Sequence, residues 1–157
     1  MNGYPKGFLI FVTAFLIALW LSGILLLPSV AVFRLEWDYD WLMDLPFSSG
    51  DLRHTITTLH AIFAWSFTAM VGAIWTIHMR GHWRRRENRF SGGLFSFLWI
   101  ALFISALGIY YFGDPDNSLY SSLIHSAVGL MIPLMLWQHK RSGEKAVEQN
   151  RSPSRKV

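Results

Sequence analysis

Four long apolar runs, at residues 8–27, 55–77, 94–112 and 119–137, contain no Asp, Glu, Lys or Arg. This feature most limits what the chain can fold into. A bilayer core about 30 Å thick is crossed by roughly 20 apolar residues in a helix. Lipid offers no partners to an open strand's backbone, so each run is expected to be a helix. The alternative is a soluble bundle with four buried helices, but four charge-free spans of this length argue against it. Composition agrees: 15% of the 157 residues are charged and 52% are hydrophobic, whereas soluble domains carry about 25% charged residues. The first run could instead be a signal peptide, with Lys6 in front and Ser29-Val30-Ala31 as a cleavage site. Its apolar core exceeds the roughly 7–15 residues usual for a signal, so it reads as a retained helix ending at Pro28.

The charges set the expected topology. Lys6, the loop with Arg80, Arg84, Arg85, Arg86 and Arg89, and the segment with Lys140, Arg141, Lys145, Arg151, Arg155 and Lys156 fall on one side; only Arg34 and Arg53 fall on the other. The acids divide the opposite way, with Glu36, Asp38, Asp40, Asp44, Asp51, Asp114 and Asp116 facing away from the basic loop. The positive-inside rule then places both termini in the cytoplasm of a bacterial-type inner membrane. It also accounts for the sequence pI of 9.7 without nucleic acid, because the cations mark topology and meet lipid headgroups.

The expected fold class is all-α: an integral membrane four-helix bundle of up-down-up-down topology over residues 1–142. The polar tail, 143–157, is expected to be disordered. The connection between the first two runs holds Phe33, Trp37, Tyr39, Trp41 and Phe47 among acids and could lie along the outer interface as a short amphipathic stretch. No internal repeat stands out.

With no cysteine, disulfides, thiolate metal sites and iron–sulfur clusters are excluded. The six histidines remain, and ionisable residues within a membrane are functional suspects by default. His60 and His78 sit near the outer and inner ends of the second run, and His125 and His139 near those of the fourth. The two helices run the same way, so His60 matches His125 in depth, and His78 matches His139. Eighteen residues separate the first two and fourteen the second two, close to whole numbers of turns, so each helix presents both histidines on one stripe. Facing stripes of imidazoles suit the two axial positions of a haem iron, twice over. The axial separations differ, at about 27 and 21 Å, so one helix must tilt or bend, and Pro133 offers a place. Ala64 and Gly129, each four residues beyond an outer histidine, could leave room for a porphyrin edge; small residues are also common wherever membrane helices pack. The plainer reading has His60 and His125 bonding each other, or a hydroxyl such as Ser66 or Ser126, while His78 and His139 are merely interfacial. His54 and His82 lie outside the spans and read as surface residues.

The order and depth of several short pieces resemble the small four-helix membrane cytochromes b of bacteria, including the haem-carrying subunits of hydrogenases and formate dehydrogenases. These pieces are Leu59-His60-Ala61, Ile77-His78, Phe90-Ser91-Gly92, Leu107-Gly108-Ile109-Tyr110-Tyr111, Ile124-His125-Ser126-Ala127-Val128-Gly129 and Gln138-His139. The chain departs from that group in having no histidine in the first or third run and a wider spacing in the second. The resemblance implies two haem b groups between histidines on separate helices, and electron exchange with quinones or a partner protein. Such a chain would be an electron-transfer subunit of an oxidoreductase. Arg53, Arg80, Lys140 and Arg141 are candidates to pair with haem propionates. A competing reading is a non-redox structural or assembly subunit whose histidines join helices. An ion transporter or hydrolase is disfavoured because no Asp or Glu lies in any span.

Overall fold

A computed structural model describes residues 6–75, 79–84 and 88–151. The chain is all-helical there: α1 (Lys6–Arg34), α2 (Asp40–Met43), α3 (Gly50–Ile74), α4 (Arg80–Arg84), α5 (Arg89–Tyr111) and α6 (Pro115–Arg151). Helices α1, α3, α5 and α6 are each long and apolar enough to cross a membrane, and they alternate in direction. Large apolar side chains cover the outside, with Ile10 and Trp65 each 70% exposed and Phe97 63% exposed. A surface of this kind is stable against lipid and not against water. The protein is a multi-pass α-helical membrane bundle.

The helices outrun the apolar runs. Helix α1 does not stop at Pro28 but continues to Arg34. A membrane helix tolerates an internal proline because neighbouring groups re-satisfy the freed carbonyl. It ends where Glu36 adopts a left-handed φ of 55° and the Trp37 N–H bonds back to the Ala31 carbonyl at 3.1 Å. Helix α3 begins at Gly50 and α5 at Arg89, each about a turn before the apolar run. The expected end of the second run at residue 77 lies outside the described residues. Helix α6 runs through Pro133 and on to Arg151, so residues 143–151 are helical where a disordered tail was expected, and 152–157 lie outside the described residues. Lys140 and Glu144, Arg141 and Glu144, and Lys145 and Glu148 stand three or four residues apart with opposite charge, which favours helix beyond the bilayer.

Helix α1 packs along α3, α5 packs along α6, and α1 also touches α6. Serines and glycines fill these seams, as expected where apolar lipid gives no hydrophobic drive between helices. Ser22, Ser29, Ser105, Ser118, Ser121 and Ser122 are buried. A Cβ at Gly108 would overlap the Ser121 hydroxyl and lie 2.9 Å from Phe112 Cε2, so only glycine lets α5 and α6 approach there. Helix α3 stands off from α5 and α6 and reaches them chiefly through side chains. Phe67 lies against Trp99 with ring centroids 4.6 Å apart, and His60 approaches His125. The connection between α1 and α3 contains α2, held to α1, with Leu42 buried and Trp37 edge-on to Tyr39.

Candidate functional site

His60 on α3 and His125 on α6 meet inside the bundle, with ring centroids 6.2 Å apart and ring planes at 78°. Each ring is held from behind by a different helix. The Ser22 hydroxyl donates to the Leu19 carbonyl at 2.9 Å. Its oxygen is thereby left to accept from His60 Nδ1 at 3.0 Å, and the Leu19 carbonyl also faces the His60 ring. On the other side, His125 Nδ1 donates to the Leu102 carbonyl at 3.1 Å, with Ser105 Oγ at 3.2 Å. The Ser105 hydroxyl itself donates to Leu102 at 3.1 Å. A carbonyl can only accept, so Nδ1 carries a proton, and in the neutral imidazole Nε2 then keeps a lone pair.

No hydrogen bond to Nε2 of either ring is found among the described residues, and two such nitrogens cannot bond each other, since both are acceptors. A histidine that donates its second N–H to a carbonyl or hydroxyl while presenting a bare nitrogen is in the usual state of a metal ligand. A metal held end-on between two imidazoles by bonds of about 2 Å sets their centroids roughly 6 Å apart.

A small residue does make room beside His60, but it is Gly23 on α1, where a Cβ would stand 3.2 Å from His60 Cε1. A Cβ at Gly129 would meet Leu102 Cδ2 at 3.9 Å, so that position serves contact between α5 and α6. The hydroxyl partners Ser66 and Ser126, weighed from sequence, are not those used.

At the basic end of the bundle, His139 on α6 bonds through Nδ1 to the Ser91 hydroxyl at 3.0 Å. It stacks on Phe95 with centroids 5.4 Å apart and planes at 12°. Its expected counterpart, His78, lies outside the described residues, as does the side chain of His82. His54 is exposed on the first turn of α3.

Two buried side-chain donors lack a partner among the described residues, Trp20 Nε1 and Arg53 Nε. Arg53 sits seven residues before His60, two turns nearer the start of α3 on the same stripe, with its guanidinium 4.8 Å from the centroid of the Phe33 ring. No group of three or more His, Asp or Glu that could hold a metal ion occurs among the described residues.

Ser22, Ser105 and Gly23 are the site residues that sequence reasoning missed. A signal was present: Ile17-Ala18-Leu19-Trp20-Leu21-Ser22 and Ile100-Ala101-Leu102-Phe103-Ile104-Ser105 share Ile-Ala-Leu-x-x-Ser. Comparison with protein-family models, with curated proteins and with solved structures returned no match.

Proposed function

We propose that the protein is a membrane b-type cytochrome, with His60 and His125 as the axial ligands of one haem b. The observation that supports this most is the pair of imidazoles, each tied down at Nδ1 and without a partner at Nε2 among the described residues, 6.2 Å apart within the bundle. Two imidazoles alone do not complete the shell of a bare ion, which wants four or more ligands. A metal that brings an equatorial ring of its own needs two. Helix α3 meets the α5–α6 pair through side chains, Phe67 on Trp99 among them, rather than by close backbone approach. Bound there, haem would supply one-electron redox chemistry.

The chain's own residues orient the two rings through the Nδ1 bonds and shield them from water with apolar helices. Arg53, with its Nε unpaired and buried, is suited to receive a propionate, since a charge-assisted bond would satisfy it. Haem c is excluded by the absence of cysteine. His78 and His139 are the proposed ligands of a second haem, and Ser91 does for His139 what Ser22 does for His60.

The electrons would pass between a quinone and a partner protein. An apolar groove of about 330 Å³ on α5 and α6, of a size that accepts small ligands, is lined partly by Ser105 and so lies one hydroxyl from His125. The charge asymmetry favours a bacterial inner membrane with both termini cytoplasmic.

The structural-subunit reading has one observation in its favour. The Nδ1 bonds join α1 to α3 and α5 to α6, so the histidines also serve as helix contacts. The two readings separate on one measurement. Protein purified in detergent from haem-replete cells should give the reduced-minus-oxidised spectrum of low-spin haem b. A colourless protein would remove the cytochrome reading and leave the structural one. A ratio of one haem per chain by pyridine haemochrome would remove the second site alone.

A further inference from the structure

The structure contains a repeat that its loops conceal. Helices α1 and α5 run in the same direction, and each begins on a cation, Lys6 and Arg89. Ser22 and Ser105 stand sixteen residues into their helices, hence at equal height. Both serines are buried, both donate to the carbonyl of the leucine three residues earlier, and both meet Nδ1 of a histidine on the helix that follows within the hairpin. The two serine–histidine units belong to separate helix pairs and bring their rings together.

We infer that the bundle consists of two like halves, each a Leu-x-x-Ser helix backing a histidine helix, and that Ser22 and Ser105 are the positioning residues of the shared site. Each serine spends its own proton on a leucine carbonyl, so its oxygen is left only to accept. That acceptor orients the imidazole and makes Nε2 more basic, as outer partners of metal-bound histidines do. A more basic axial ligand favours ferric over ferrous iron. The two hydroxyls therefore hold the haem potential down through the same Nδ1 contact, and at His125 the Leu102 carbonyl shares the proton. This inference rests on the haem reading, yet part of it concerns the protein alone.

The test uses Ser22→Ala and Ser105→Ala, with Ser22→Thr and Ser105→Thr to restore the hydroxyl and Ser118→Ala as a control. Ser118 is equally buried, and its hydroxyl bonds the Ile109 carbonyl rather than a histidine. In haem-containing protein, each alanine variant should keep its haem and shift the iron equilibrium about threefold to tenfold toward the reduced form. A tenfold change reads as about 59 mV for one electron. Both threonine variants and Ser118→Ala should hold the wild-type potential. In haem-free protein labelled with ¹⁵N-histidine, His60 and His125 should show a protonated Nδ1 and a bare Nε2. The Nδ1 signal should move in the matching alanine variant only.

Wild-type potentials in both alanine variants would overturn the positioning role while leaving the cytochrome reading intact. A shift in one variant but not the other would overturn the equivalence of the halves. A colourless wild type would sink the haem reading, and the nitrogen signals would then decide the hydrogen-bond roles by themselves.

Discussion

The α1–α3 and α5–α6 pairs meet the same demand over very different connections. Helices α5 and α6 are joined by residues 112–114 and pressed together at Gly108, where Ser121 occupies the space a side chain would need. Helices α1 and α3 are separated by residues 35–49, which fold into their own short helix with Leu42 and Ser48 buried. Yet Ser22 holds His60 at 3.0 Å and Ser105 holds His125 at 3.2 Å. The anchoring of the rings thus does not depend on how the chain gets from one helix to the next. It depends on one hydroxyl and one small-residue seam per pair. The tight pair and the loose pair should accordingly differ in how they respond to damage at the seam but not at the ring.

Substitution at the rings should have the largest effect, and the same effect in both pairs. His60→Ala or His125→Ala should each abolish one low-spin haem, lowering haem per chain by one, as read by pyridine haemochrome. Retention of the full low-spin spectrum in either variant would falsify the ligand assignment.

Next comes the seam. Gly108→Leu should destabilise the bundle by about 1–3 kcal/mol through overpacking, seen as a lower midpoint in detergent unfolding. Gly72→Leu, where a Cβ meets nothing within 4 Å, should stay near wild type. Equal stability of the two variants would mean that α5 and α6 are not in close contact.

A finer probe is Gly23→Ala, whose new methyl must displace His60 Cε1 by a few tenths of an ångström from 3.2 Å. The expected cost is under about 1.5 kcal/mol, with a visible change in the low-spin electron paramagnetic resonance signal. Gly129→Ala, at 3.9 Å from its nearest neighbour, should leave that signal alone; similar spectra from the two would contradict the close contact at His60.

The smallest effect on the outer site should come from His139→Ala. It removes the Ser91 bond and the Phe95 stack, about 0.5–1.5 kcal/mol, and should spare the His60–His125 signal entirely. Loss of that signal would show the two ends of α6 to be coupled.

Much of the fold was legible because hydropathy reports where a helix must be dry. The four spans, their alternation and the matched depth of His60 and His125 all follow from that. Helix ends were misjudged because they are set by other forces. Helix α1 passes Pro28 because a membrane helix tolerates an internal proline, and α6 passes Gly143 because opposite charges line up one turn apart. The site was half legible. Histidines stand out in lipid by their cost, whereas a serine that spends its hydroxyl on its own helix resembles the many others here that do so, such as Ser121 or Ser122. Only the rings they meet distinguish Ser22 and Ser105, and that requires knowing which helices pair. Gly23 escaped notice for the same reason: it clears space for a residue on another helix rather than along its own stripe.

Helix α6 has one more consequence, a mechanical one. Its 37 residues make a rod of about 55 Å, against a hydrocarbon slab of about 30 Å, so its last turns project past the slab as a handle. His125 and His139 are both mounted on that rod. A twist or pull at Glu148 is therefore delivered to both rings through hydrogen-bonded backbone, with no loop in between to absorb it. The weak link is Pro133, which lies between the two histidines and lacks the N–H that would brace its turn. The rod is stiff from handle to His139 and compliant beyond it, so strain applied from the basic end reaches the nearer ring first and the deeper one only in part.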